Sequence, residues 1–182
     1  MSLKFTFNED KALSALCFVA SVKSGLSPLF VSKVFFFAEK EHINLYGRPT
    51  LGDTFIAMPR GPVPSTIKNY IDEKWSWVGK PVGFDDAILL TWVSNLKTLE
   101  LGKNPTTEDL LSETDKECLL AAITFCKDKT AKELSDITHF EKSWLNAPEN
   151  RPMDYEDFIE DENPNKVEIL EAMKESAAYG VF

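Results

Sequence analysis

Three cysteines and two histidines are the residues of this chain with the widest chemical range, and their spacing decides what they could do. A nucleophilic thiol needs a base beside it and an electropositive setting. Cys17 with His42 is one pair that could be drawn, but no motif supports it. Cys17, Cys118 and Cys126 each lie in an apolar, helix-like run and form no Cys-x-x-Cys pair, so buried free thiols are the expectation. A zinc or other transition-metal site needs clustered imidazole or thiolate ligands, and these five residues show none of the usual spacings. Gly-x-Ser-x-Gly, the phosphate-binding loop and the dinucleotide fingerprint are absent from the sequence. No catalytic residue, bound metal or cofactor is therefore expected.

The remaining polar candidates read as structural. His42 lies near the C-terminus of a helical segment, where the helix dipole favours an imidazolium and a hydrogen bond to loop backbone is the expected role. His139 ends the run Ser135-Asp136-Ile137-Thr138-His139 and is read the same way. Asp53, after Gly52, suits a turn residue that accepts from backbone donors. Glu156, Asp157, Glu160, Asp161 and Glu162 form an acidic run, which is ordinarily a solvated face and less often a partner surface.

Amphipathic segments must position these residues. Asn8 caps a first helix bearing Leu13, Leu16, Cys17 and Ala20, with Gly25 as its stop. Ser27-Pro28 starts a second helix carrying Phe30, Val31, Val34, Phe35, Phe37 and Ala38. Its apolar surface is wider than one stripe, so it should be the most buried helix. It ends at Tyr46-Gly47. Residues 50–58 alternate weakly and predict a short strand. Gly61-Pro62-Val63-Pro64 makes a rigid corner that sets the entry of a third helix near Ser65, with Ile67, Tyr70 and Ile71 inward and Trp75, Trp77 and Val78 at its close. Asp85 and Asp86 predict a fourth helix carrying Ile88, Leu89, Trp92, Val93 and Leu96. Residues 98–101 predict a strand. Ser112 with Asp115, or Thr114 with Glu117, caps the next helix, and Thr130 with Glu133 caps a short one through Thr138. Asp154 starts a turn of helix with Tyr155, Phe158 and Ile159. Asn163-Pro164 starts the last helix, with Ile169, Leu170 and Met173 inward and Gly180 at its end. The fold class is mainly α (α+β), a compact multi-helix domain with one or two short antiparallel strand pairs, and residues 1–182 are expected to form one domain.

Composition limits the partners. The chain has 182 residues, 43% of them hydrophobic, enough for a full core. Twenty basic residues against 29 acidic ones leave a net charge of −9. That charge argues against direct binding to nucleic acid, which needs a Lys/Arg footprint, and suits a basic protein partner. No apolar run approaches the 20 or so residues of a membrane span, and Asn8-Glu9-Asp10 precedes the first apolar run where a signal peptide would be basic. A cytoplasmic location is the expectation.

Residues 33–71 resemble the SocA-like antitoxin family, the Panacea domain, whose members include phage-associated proteins. The resemblance is carried by Lys33 with the following Phe-Phe-Phe-Ala-Glu, Glu41-His42, Tyr46-Gly47-Arg48-Pro49, Gly52-Asp53-Thr54-Phe55, Ala57-Met58 and Gly61-Pro62-Val63-Pro64-Ser65. A second block comprises residues 111–115, Lys132 to His139 including Ser135, Trp144, and Met153 to Asp157. Together the blocks extend the resemblance over roughly residues 8–160. It implies a cytoplasmic bacterial or phage-associated antitoxin that neutralises a cognate toxin by direct protein–protein binding, with a protease as a further partner where such a protein acts as an adaptor. Some members carry an added DNA-binding part, for which this chain shows no room. The family implies no catalytic residues, and His42, Tyr46, Gly47, Gly52, Asp53, Gly61, Pro62, Pro64, Ser135 and His139 become structural motif positions. Trp75 to Asp109 departs from the family pattern. Trp75 and Trp77, two apart at a helix end, point to different sides and form a possible partner surface.

Two other readings compete with toxin binding. A proteolytic adaptor would deliver the toxin to a protease. An enzyme would need His42, Asp53 and His139 to converge in one concave pocket.

Overall fold

In a computed structural model, residues 3–105 and 110–179 are described; Gly180, the expected end of the last helix, lies outside them. Helix α1 (Glu9–Val22) is capped by Asn8, whose side chain accepts from the Lys11 amide at 3.0 Å. Helix α2 (Pro28–Tyr46) opens as its sequence predicts, with Ser27 as cap and proline in the first turn. It stops at Gly47, which adopts a left-handed φ of 66° that glycine accommodates without strain.

Helix α2 is buried on more than one side because the core is built around it. Val31, Val34, Phe35 and Ala38 join one apolar cluster with α1 and the later helix α6 (Glu113–Cys126). Phe36 and Ile43 join a second, with Phe55, Phe158 and Met173. Phe36 makes edge or tilted ring contacts with Phe37, Phe55 and Phe158. Cys17, Cys118 and Cys126 are buried free thiols, and burial pushes Cys118 and Cys126 up to about 12.

The predicted corner at residues 61–64 is itself a strand. β1 (Phe55–Met58) and β2 (Gly61–Pro64) pair antiparallel across the two-residue turn Pro59-Arg60, with Met58 opposite Gly61 and Ile56 opposite Val63. A two-residue turn makes those two the hydrogen-bonded pairs, so Pro62 and Pro64 fall where the nitrogen faces away from β1 and no donor is lost. The outward groups of β1 bond to the chain beyond: the Ala57 amide donates to Arg151 O and the Met153 amide to Phe55 O. Helix α3 (Ser65–Ile71) starts directly from Pro64.

Two expectations are corrected. The third helix does not run to Val78. It ends at Ile71, the chain turns through Glu73 at φ 58°, and a separate turn of helix, α4 (Trp75–Val78), follows. The predicted helix over residues 85–96 is one helical turn, α5 (Phe84–Ala87), running into a hairpin: β3 (Ile88–Val93) pairs antiparallel with β4 (Leu96–Leu101). The apolar residues there fit a helical period by coincidence. The deciding signal is Ser94-Asn95, both at positive φ (49° and 67°), the geometry of a two-residue hairpin turn whose twist matches the strands. The chain is completed by α6, α7 (Ala131–Thr138), α8 (Lys142–Leu145), a 3-10 turn (Tyr155–Phe158) and α9 (Lys166–Tyr179). Reciprocal capping boxes start α6 at Ser112 with Asp115 and α7 at Thr130 with Glu133. The protein is thus mainly α, with two small two-strand sheets.

A buried lysine locks α2 to β2 and α7. Lys33, only 1% exposed, donates to Arg60 O at 2.7 Å, Pro62 O at 3.5 Å and Thr138 Oγ1 at 3.0 Å. Thr138 can accept because its own hydroxyl donates back into α7, toward Leu134 O or Ser135 O. Burial pulls the Lys33 pKa down to about 7, Cys126 opposes that effect and the Arg60 charge adds to it. Gly61 makes room for it. A Cβ there would overlap both Lys33 Nζ and Thr138 Oγ1, and Gly61 also sits at φ +94°. Gly61→Ala should therefore lower stability by about 2–4 kcal/mol, and Lys33→Met by about 1–3 kcal/mol through its orphaned acceptors. Urea unfolding checks both. A loss below about 0.5 kcal/mol in either variant would show that the clamp does not hold the fold.

Candidate functional site

The residues singled out in the sequence collect around α2, but they do not converge on one pocket. His42 is fully buried near the C-terminal end of α2. Its Nδ1–H donates to the Arg48 carbonyl at 2.9 Å, and its Nε2 lies 3.1 Å from the Thr114 hydroxyl. The loop-backbone role expected for His42 is found. The direction of its titration runs against the imidazolium expected from the helix dipole. Burial lowers the His42 pKa, the Arg48 carbonyl and Asp115 oppose that effect, and the Arg48 and Lys11 charges add to it.

Asp115 makes this end of α2 a junction. Its Oδ2 lies 2.9 Å from the Lys11 ammonium and accepts from the Ser112 amide and hydroxyl at 2.8 and 2.7 Å. Its Oδ1 lies 3.2 Å from His42 Nε2 and 3.6 Å from Arg48 Nη1. Burial acts to raise the Asp115 pKa, and the bonds from Lys11 and Ser112 outweigh it, holding the carboxyl below its ordinary value. One carboxylate thus caps α6 and ties it to α1 and α2. The sequence showed Asp115 only as a capping residue.

Asp53 is a helix cap supplied from a distance. Pro64 precedes α3 and has no side-chain acceptor, so the first amides of α3 need another partner. Both Asp53 carboxylate oxygens accept from the Thr66 amide at 3.0 Å, and Oδ2 accepts from the Ile67 amide at 3.0 Å. Burial raises its pKa against those bonds. The expected role as an acceptor of backbone donors is right, but the donors lie thirteen and fourteen residues away.

Glu39 was not singled out, and its hydrogen-bond geometry is unusual. Its Oε2 accepts from the Thr50 amide at 2.9 Å. Tyr155 Oη lies 2.8 Å from Glu39 Oε1 and 2.6 Å from the Asp53 carbonyl. As two full hydrogen bonds those contacts need two protons, and a tyrosine hydroxyl carries one. A protonated Glu39 supplies the second and donates to Tyr155 Oη; an ionised Glu39 accepts from Tyr155, whose one proton is then shared with the Asp53 carbonyl. Burial favours the protonated acid, raising the Glu39 pKa to about 7. A charged residue inside the Phe-rich stretch of α2 was the available sequence signal for both Lys33 and Glu39.

The other motif positions hold the same frame. Gly47 packs at the left-handed end of α2 beside Ala172 of α9, and Gly52 is buried at φ 70°. Tyr46 is partly exposed, with its hydroxyl 3.4 Å from Glu117. The Ser135 carbonyl accepts from Thr138 Oγ1 and from the His139 amide. The His139 ring stacks on Trp144 at 4.2 Å, and Trp144 Nε1 donates to Met58 O at 3.0 Å. His139 is therefore a stacking residue, where a backbone hydrogen bond from its ring was expected. No hydrogen bond or ring contact joins His42, Asp53 and His139, and among the described residues no group of three or more His, Cys, Asp or Glu could hold a metal ion.

Trp75 and Trp77 separate as their spacing suggests. Trp75 is half-buried against Tyr70 and Phe84. Trp77 is 80% exposed. Residues 77–101 also expose Val82, Leu89, Trp92 (70%), Val93 and Leu96. Trp92, expected inward on a helix, stands out on β3 instead.

A chain with this frame belongs to the family of SocA-like antitoxins with a Panacea domain, whose description matches residues 31–145, more than half of the chain. No curated protein and no solved structure matches it. Among the described residues no helix is long and apolar enough to cross a membrane.

Two outcomes test the frame. An unfolded Glu39 releases its proton near 4.5 and the folded one near 7, so between those values the folded state holds more protons and stability falls as pH rises. Glu39→Gln keeps the bonding pattern, with its amide in place of the acid O–H. It should flatten the pH 4.5–7 part of the stability curve without unfolding the protein; an unchanged slope would show that Glu39 does not carry it. Asp53→Ala should cost about 1–3 kcal/mol in denaturant unfolding by leaving the α3 amides unpaired.

Proposed function

We propose that this protein is an antitoxin that neutralises a cognate protein toxin by direct binding, and that it is not an enzyme. Family membership supports the reading, and one observation of the fold carries it to a surface. Large apolar side chains stand exposed along residues 77–101, with Trp77 and Trp92 the largest. Isolated exposed apolar residues are ordinary, but this stretch offers several: Val93 and Leu96 are paired on one face of the hairpin, and Trp92 stands on the other. Tryptophan is the side chain most enriched among energetic anchors of interfaces.

The enzyme reading loses support because its three candidate residues each serve a separate structural bond. The adaptor reading shares the toxin-binding surface and differs in the toxin's fate. Net charge supports a protein partner over nucleic acid, and a cytoplasmic location is part of the same proposal.

Co-expression with the reading frame beside this gene is the test. Growth arrest by that frame alone, relieved by this protein, is the expected result. Trp77→Ala and Trp92→Ala should each abolish relief with the melting temperature unchanged, since both rings are exposed. Trp75→Ala should lower the melting temperature by several degrees, because its ring packs on Phe84. Full relief by a Trp77→Ala/Trp92→Ala double variant would overturn this placement of the interface.

A further inference from the structure

We infer that a groove between α2, α6 and α7 is a second docking surface, and that it takes a basic amphipathic segment of a partner protein. A cavity of about 330 Å³ opens there, floored by Phe37, Ala121 and Phe125. A second, of about 290 Å³, lies along residues 157–162, and Lys40, Glu141 and Glu160 line both. The volumes are at the size of sites that hold a large apolar side chain. The floor is aromatic, with Phe37 and Phe125 in edge contact at 4.8 Å.

Charge selects the occupant. Six carboxylates and two ammonium groups line the pair of cavities. The two ammonium groups are already held by carboxylates: Lys40 by Glu141 and Glu160 at 2.8 and 3.0 Å, and Lys142 by Asp161 at 2.8 Å. Glu41 and Glu162 are exposed and form no ion pair among the described residues. A Lys- or Arg-bearing segment would meet unpaired carboxylates at the rim and an apolar floor between them. The floor already accepts a cation: the Lys129 ammonium lies 3.7 Å from the Phe125 ring centroid. An acidic segment would meet like charge at the rim, which disfavours it. The acidic run seen in the sequence is thus one wall of the groove, partly neutralised from within.

That the partner is the toxin rests on the antitoxin reading; the chemistry of the groove does not. A synthetic peptide in place of a toxin keeps the failure of one distinguishable from the failure of the other. The probe is a fluorescent peptide of Leu and Lys at amphipathic helical spacing, titrated with the full chain and followed by anisotropy. Saturable binding that weakens with salt is expected. The Glu41→Lys/Glu162→Lys pair should weaken it about tenfold or more, and Ala121→Arg, which fills the floor, should do the same. An Asp86→Lys/Glu175→Lys pair alters net charge equally at exposed sites away from the groove and should change affinity by less than about twofold. A peptide with Ser for Leu should bind about tenfold more weakly. Absence of binding, equal loss from the two charge-reversal pairs, or unchanged affinity in Ala121→Arg would each overturn the proposal.

Discussion

The structure depends on a lysine amine placed where water cannot reach it. An isolated buried ammonium is costly, and Lys33 is tolerable only because backbone and hydroxyl oxygens from two other elements meet it. That requirement fixes several parts at once. The β1–β2 turn must present the Arg60 carbonyl, β2 the Pro62 carbonyl and α7 the Thr138 hydroxyl. Gly61 must lack a side chain, and Pro62 and Pro64 stiffen the strand that brings the carbonyls in. An apolar residue at position 33 would relieve the burial cost but would leave those oxygens without a donor.

The same logic recurs along α2. Lys33, Glu39 and His42 are its three buried titratable groups, and each holds a segment distant in sequence. Lys33 holds the hairpin and α7. Glu39 holds Thr50 and Tyr155, and through Tyr155 the carbonyl of Asp53. His42 holds the loop at Arg48 and the start of α6. Apolar burial supplies the bulk of the driving force for folding but is non-directional. Three directional contacts on one helix determine how the loop from Gly47 to Pro64 must lie. His42 and Asp53, two of the residues the sequence offered for chemistry, fasten that loop, and burial is the first cause of their perturbed titration.

A frame fastened in this way leaves its outer surfaces free to differ. The hairpin β3–β4 is attached at its base, where Ile88 and Leu99 are buried and Leu26 pairs with Leu99, while its tip carries exposed Trp92, Val93 and Leu96. On α2 and α6, Phe37 and Phe125 line a groove whose rim is acidic. Neither surface contributes to the Lys33 or Asp115 junctions, so substitutions there need not disturb the frame.

Local rules were enough for the chain's own punctuation. Asn8, Ser27, Ser112 and Thr130 cap helices because each side chain reaches an amide three residues on, a geometry contained within one turn. Gly47 ends α2 for an equally local reason. The central burial of α2 was legible from Phe35, Phe37 and their neighbours, since so broad an apolar surface must be covered. The β3–β4 hairpin was misread because Leu89, Trp92, Val93 and Leu96 satisfy a helical period as well as a strand, and pairing with a second strand decides between them. Tertiary structure alone decided that Asp53 caps a helix beginning twelve residues later, that Glu39 bonds to the Tyr155 hydroxyl, and that Lys33 finds Thr138 across 105 positions. No local pattern encodes such meetings. Each depends on the direction in which two buried polar groups point once the apolar faces have closed around them.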